Sequence, residues 1–303
     1  MKLKQLGLAL KGAAKDWSDD NASRLAAALA YYTLLSLAPL VVISIAVAGA
    51  VLGDEAARGQ ISAQMSSVVG PEAARGLESV VDSARAPTSG IIGTVIGIVT
   101  LLLGASGAFG ELQASLNTIW EVEPKPNRGF WGMIKDRFFS FSMVLVVAFL
   151  LLVSLVLSAA LAAVGNFFSH TLPGGELLWQ VLNILISLAI ITALFALIFK
   201  VVPDAEVAWR DVWVGALLTA VLFTIGKLLL GLYLGKSSME SSYGAAGSLV
   251  ALVVWVYYTS QIVFFGAEFT QQQARLNGRE IKPSANAVEE SADRARRLSP
   301  RSS

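Results

Sequence analysis

Six stretches of this sequence run for about 20 residues or more with almost no charge: approximately Ala26 to Leu52, Gly90 to Leu112, Phe138 to Val164, Leu177 to Val202, Val212 to Leu234 and Ser248 to Phe269. A hydrocarbon core of about 30 Å is crossed by about 20 helical residues. Lipid offers no hydrogen bond to a backbone N–H or C=O, so a segment immersed in it must satisfy those groups internally, as a helix or in a closed barrel. The period-two alternation of a barrel strand does not run through these stretches. The expected fold is therefore all-α, a polytopic membrane protein with six transmembrane helices. Charged residues make up only 15% of the 303, against about 25% in an ordinary soluble domain.

Orientation follows from where the basic residues fall, because cytoplasmic loops carry the excess of Lys and Arg. With six spans, 18 of the 23 Lys and Arg residues lie on one side, four on the other, and Lys227 inside a span. Both termini are expected to be cytoplasmic. The first 24 residues lack the apolar core and cleavage site of a secretory leader, so the first span is expected to direct insertion. There is no cysteine, which excludes disulfides, thiol chemistry and Cys-type metal sites.

Three regions are expected along the chain. In residues 1–24, Leu3, Leu6, Leu10, Ala13 and Trp17 recur every three or four residues with lysines between them, as in an amphipathic helix lying on a membrane surface. Asp19, Asp20 and Asn21 interrupt that pattern and can cap the next helix. Residues 25–270 form the six-helix membrane domain. Its longest outer connection, about 54–88, carries the apolar series Ile61, Met65, Val68 and then Ala74, Leu77, Val81, Ala84 around Pro71, which suggests an external helical hairpin capping the bundle between spans one and two. Residues 271–303 mix charge, Ser and Pro and are expected to be a disordered cytoplasmic tail.

Polar residues inside the apolar stretches are the candidate functional groups, since they are costly there. In the second span Gly90, Gly93, Gly97, Thr100, Gly104, Gly107 and Glu111 share a face. That row suits close helix packing and allows self-association into a homo-oligomer as readily as internal contact. Gln113 and Asn117 continue a second polar line. In the last span Tyr257, Gln261 and Glu268 return to one side at steps of four and seven. Glu268 and Glu111 lie at the same expected depth as Arg24 and Arg137, which makes charge pairing among the four attractive; simple contact with water is the competing reading. Lys227, roughly 22 Å along its helix at 1.5 Å per residue, can either meet an anionic group or snorkel outward. Gln113, Asn117, Lys227, Tyr257 and Gln261 together make a candidate polar pathway.

Catalysis finds no support. Ser106 in "GASG" would lie about 24 Å along its helix from the outer end, and the single histidine, His170, is in an outer loop, so a serine–base pair cannot form. One histidine and no cysteine leave no zinc set, and no nucleotide-binding loop is present. Neither enzyme activity nor a cofactor is expected. The basic tail, interspersed with acids, reads as a positive-inside anchor and not as a nucleic-acid site.

Three stretches carry a resemblance: "AAALAYYTLLSLAPLVV" at Ala26, "VVPDAEVAWRDVWVGALLTAVLF" at Val201 and "SSYGAAGSLVALVVWVYYTSQIVFFGAEFT" at Ser241. Over about residues 10–272 the chain resembles the YihY/virulence factor BrkB family of bacterial inner-membrane proteins. The resemblance implies six spans with cytoplasmic termini. The family has also carried the label ribonuclease BN, which these residues do not support, since none could bind a metal or activate water. It supplies no catalytic set to carry over. The expected function is transport or flippase-like export of a lipid or amphipathic small molecule, with membrane lipids as partners; the alternative is a non-transporting scaffold supporting envelope assembly.

Overall fold

The computed structural model describes residues 3–36, 107–125, 175–236, 247–279, 281–285 and 287–289, with Gly53, Glu55 and Gly59. In chain order these form α1 (Leu3–Asp19), α2 (22–36), α3 (107–119), β1 (Val122–Pro124), α4 (Gly175–Val201), β2 (Ala205–Glu206), α5 (Trp209–Lys236), α6 (Gly247–Leu276), β3 (Lys282–Pro283) and β4 (Ala287–Glu289). The described residues are mostly helical, and among them three helices are long and apolar enough to cross a membrane, over Ile184–Val201, Trp209–Leu230 and Val250–Leu276. The external hairpin, the third span, Gly93, Gly97, Gly104 and Arg137 lie outside the described residues.

The surface of α5 shows what surrounds it. Trp213, Val214, Leu217, Val221, Ile225, Leu228 and Leu229 are exposed at helical spacing, and Ile184 and Leu185 of α4 are exposed as well. A continuous apolar stripe of that size is unfavourable against water and suited to acyl chains. The opposite side of α5 is buried: Val212, Ala216, Thr219 and Ala220 face α4 and α6. The core collects at the end of the bundle where α1 and the short paired strands lie. There Ala22, Ala26 and Leu29 of α2 meet Leu116, Ile119 and Trp120 of the α3 end, Phe195 and Phe199 of α4, Val212 and Ala216 of α5, and Phe264 and Ala267 of α6.

Two pairs of small residues set how closely α5 and α6 approach. Gly215 is followed four residues later by Thr219, and Gly266 by Thr270. A Cβ placed on Gly215 would collide with the Thr270 hydroxyl and stand 2.9 Å from Thr270 Cβ; one on Gly266 would collide with the Thr219 hydroxyl. Each threonine therefore sits against the other helix's glycine. Neither hydroxyl is orphaned, since Thr219 Oγ1 donates to Gly215 O at 2.8 Å and Thr270 Oγ1 to Gly266 O at 2.7 Å. Small residues and internally bonded hydroxyls are how helices come together in lipid, where burying apolar area gives no advantage.

Helix ends follow local chemistry. Asn21, at φ +53°, breaks α1 from α2, and its carbonyl accepts from the amides of Arg24 and Leu25; Asn tolerates this left-handed conformation better than most residues. The C-terminus of α6 closes in a Schellman motif, with Arg279 N donating to Ala274 O at 2.9 Å and Gly278 N to Arg275 O at 3.0 Å. Gly278 stands at φ +69°, so Gly278→Ala is expected to lower stability by about 1 kcal/mol, measured as a reduced thermal unfolding temperature of the purified protein.

The expected disorder from Gln271 onward does not hold for the described part of that region. Helix α6 continues to Leu276. Beyond it the chain pairs antiparallel with both connectors: Glu206 opposite Lys282 and Ala205 opposite Pro283, then Val122 opposite Glu289 and Pro124 opposite Ala287. Polar, mixed-charge composition argues against an independent core, but these residues need none. They borrow one, with Ala287 buried in the core of the bundle.

Candidate functional site: a polar belt at the terminal end of the bundle

The polar side chains of the membrane helices divide into two groups. The first gathers where α1, α3, α6 and the connectors meet. Asn117 of α3 is 4% exposed; its Nδ2 donates to Asp204 Oδ2 at 3.1 Å and its Oδ1 accepts from Asp204 N at 2.8 Å. Gln113, one turn earlier, donates to the same carboxylate oxygen at 3.4 Å. Gln271 of α6 donates to Ile119 O at 2.7 Å, satisfying a carbonyl near the end of α3. Gln113 and Asn117 thus come together on the connector between α4 and α5. Their bonds fix the position of that connector, and Lys200 secures its far side by donating to Val207 O at 2.6 Å.

Charged groups complete this belt. Arg275 of α6 reaches Glu121 at 2.7 Å and Asp16 of α1 at 3.6 Å. Asp16 also accepts from Gln272. Glu121 adopts φ +56°, an uncommon conformation for a non-glycine residue, at the turn that presents its carboxylate to Arg275. Arg279, just past α6, pairs at 3.2 Å with Asp211, which is 1% exposed in the first turn of α5. A carboxylate there also benefits from the positive end of the helix dipole. Between these groups and the tail lies a cleft of about 830 Å³ lined by Trp120, Gln271, Arg275, Arg279, Lys282 and neighbouring residues.

Glu268 is where the structure departs most from the expected pairing. It is fully buried at 0% exposure, and among the described residues neither of its carboxyl oxygens has a hydrogen-bond donor. Arg24 is exposed on α2 and forms no ion pair with Glu268 or Glu111 among the described residues. Across the α1–α6 seam, Asp16 of α1 bonds to Gln272 and Arg275 of α6, one turn or more beyond Glu268. The pairing was inferred from depth along the helix axis alone. Depth carries no information about azimuth: α1 docks its Ala9 and Ala13 face onto α6 around Phe269, while Arg24 of α2 is exposed.

The second group lies deeper along the apolar helices. Lys227 is exposed on α5 beside Leu228 and Leu229, Tyr257 is 36% exposed, and Gln261 is half-buried with its Oε1 enclosed and lacking a donor. Tyr258, next to Tyr257, packs close to Gly226: a Cβ there would lie 2.5 Å from its ring. Gly107 is in ordinary contact with Ser36 and Tyr32, both at 3.5 Å from an added Cβ, as a packing face requires.

Sequence reasoning read Asp20 only as a helix cap and did not single out Asp16, Asp204, Asp211, Arg275 or Arg279. Only the last two offered a signal, since they flank the Asn277–Gly278 helix stop. The Gly-Thr pairs were legible, as "GALLT" at Gly215 and "GAEFT" at Gly266 repeat one pattern.

Long apolar helices, a lipid-suited outer stripe and a polar belt confined to one end define a multi-pass α-helical integral membrane protein. The family model described as Virulence factor BrkB matches residues 13–289, and the chain belongs to that family. It is similar to UPF0761 membrane proteins of Rhodospirillum centenum (29% identical over 259 residues, 83% of this chain and 54% of the relative), Stenotrophomonas maltophilia (29% over 264 residues, 84% and 58%) and Alteromonas mediterranea (31% over 260 residues, 84% of each). The chain spans little more than half the length of the first two relatives. No solved structure matches.

Proposed function

We propose that this protein moves a lipid or amphipathic small molecule across the bacterial inner membrane, as a transporter or flippase-like exporter, from a six-span bundle with both termini in the cytoplasm. The observation that carries the reading is the placement of Lys227, Tyr257 and Gln261: an ammonium, a phenol and an amide well inside the apolar lengths of α5 and α6, the first two reaching the lipid-exposed surface. A headgroup sliding along that surface needs polar contacts at such depths, where an unpaired ionisable residue otherwise raises the cost of insertion by about 2.5–3.5 kcal/mol at the centre. None of these groups resembles a catalytic set, and no chemistry is assigned to them.

The scaffold reading draws on a different observation. Gln113, Asn117, Gln271 and Arg275 all bond to other parts of the chain, which is what residues that only hold a bundle together would do.

Purified protein in liposomes containing fluorescent phospholipids and a panel of amphipathic solutes separates the two. Transport predicts protein-dependent movement of at least one class. It also predicts a loss of roughly tenfold in Lys227→Leu or Gln261→Leu, equivalent to about 1.4 kcal/mol, with unfolding temperature unchanged. Movement unaffected by both substitutions rules out the proposed route, and absence of movement across the panel favours the scaffold.

A further inference from the structure

Where the ends of α3 and α6 meet the tail, the cleft of about 830 Å³ is bounded by donors whose N–H groups are not used up. Trp120 lines it and is 2% exposed, and its indole Nε1 is enclosed with no acceptor among the described residues. Arg279 stands 3.2 Å from Asp211, yet neither Asp211 oxygen receives a hydrogen bond among the described residues. Charge alone holds that guanidinium, and its fork of N–H donors stays open. Lys282 of β3 is exposed, lies opposite Glu206 in the strand register and makes no ion pair among the described residues. The acids on the same lining do not answer these donors. Glu121 is taken up by Arg275 at 2.7 Å, and Glu289 of β4 is exposed and has no ion pair among the described residues.

A cleft of this volume falls within the roughly 300–1,000 Å³ of small-molecule sites, and an enclosed N–H without an acceptor is unfavourable until a ligand supplies one. The three donors arrive from different elements: just past α3, just past α6, and β3. A carboxylate presents its oxygens in one plane. A phosphoryl group spreads its oxygens around a single atom and takes a guanidinium fork and an ammonium together. We propose that this cleft binds the phosphoryl group of a ligand through Trp120, Arg279 and Lys282, and that the bound group ties the tail to the ends of α3 and α6. The phosphoryl group belongs either to a soluble small molecule or to a lipid headgroup at the membrane boundary; the recognition chemistry is the same. None of Lys227, Tyr257 and Gln261 lines the cleft, and its occupancy is read without measuring transport, so the site stands or falls separately from the function proposed above.

Hydrogen exchange across β3 and β4, in the full chain held in phosphate-free maltoside micelles, reads the tie. Inorganic phosphate and phosphatidylglycerol are added separately, with acetate at equal ionic strength and diacylglycerol as their phosphate-free counterparts. At tenfold excess over its dissociation constant, a ligand that must leave before the tail opens slows exchange by about tenfold. That slowing is expected with at least one of the two probes: inorganic phosphate marks a soluble ligand, phosphatidylglycerol alone a lipid headgroup. It is expected to fall to about twofold or less in Trp120→Phe, which deletes the N–H and keeps an aromatic ring, and in Lys282→Gln. The second variant, at an exposed position, keeps the test available should Trp120→Phe fail to fold. No slowing with either probe, equal slowing with acetate or diacylglycerol, or undiminished slowing in either folded variant would each overturn the proposal.

Discussion

Arg279→Ala is expected to lower the stability of the folded protein by about 2–3 kcal/mol, seen as a shift to lower detergent concentration in an SDS unfolding titration. Removing one partner of a buried ion pair typically costs about 3–5 kcal/mol because a charge is left in a dry site. Here the loss is smaller for two reasons. Arg279 is itself 37% exposed, and Asp211, though 1% exposed, lies in the first turn of α5, where unbonded amides favour a negative charge. The double variant Arg279→Ala/Asp211→Asn tests the cause. If the stranded carboxylate is responsible, neutralising it should restore more than half of the loss. If the double variant is no better than the single one, Arg279 acts through the α6 turn and not through Asp211.

Gly215→Ala should have a comparable effect one turn further along α5, lowering stability by about 1–3 kcal/mol, the range for overpacking a close interface. The added methyl collides with Thr270, and Gly266 O at 3.2 Å blocks retreat in the other direction. Thr270→Gly removes both the hydroxyl and the Cβ that the new methyl meets. Gly215→Ala/Thr270→Gly should therefore be more stable than the sum of the single effects by 1 kcal/mol or more, a coupling typical of residues in direct contact. Purely additive losses would mean that α5 and α6 do not approach through these positions.

Three of the six expected spans have counterparts among the described residues, because lipid selects composition directly. The expected Leu177 to Val202 and Val212 to Leu234 correspond to Gly175–Val201 and Trp209–Lys236 within a few residues. The last helix overran its expected end at Phe269, reaching Leu276. Apolar content marks where lipid stops, whereas the helix ends where its carbonyls are capped, and Gln271 and Gln273 are buried against the protein's own surface. Asn277 and Gly278, where the Schellman turn closes α6, lie at the actual boundary.

The polar belt was legible in parts. Gln113 and Asn117 stood out for being polar on a membrane helix, but their partner Asp204 sits in a connector that no periodicity ties to them. Glu268 stood out for the same reason, and the guess at its partner followed charge complementarity toward Arg24. The structure instead buries it without a donor among the described residues, next to the α1–α6 face set by Ala9, Ala13 and Phe269. Packing fixed the azimuth, and electrostatics had to adapt to it. Pairing of the tail with the connectors was likewise invisible, since two- and three-residue strands carry no usable alternation.

The most direct test of the membrane architecture is a scan along α5, straightforward because the chain contains no cysteine. Single cysteines at Leu217, Val221, Ile225 and Leu228, and at the buried Ala216 and Ala220, would carry a fluorophore in lipid bilayers, with quenching measured for a lipid-borne and a water-soluble quencher. The lipid-borne quencher should act strongly at the first four sites and weakly at the two alanines, giving a helical period of 3.6 residues. Quenching from water at Leu217 and Val221, or no difference between the two faces, would contradict the account.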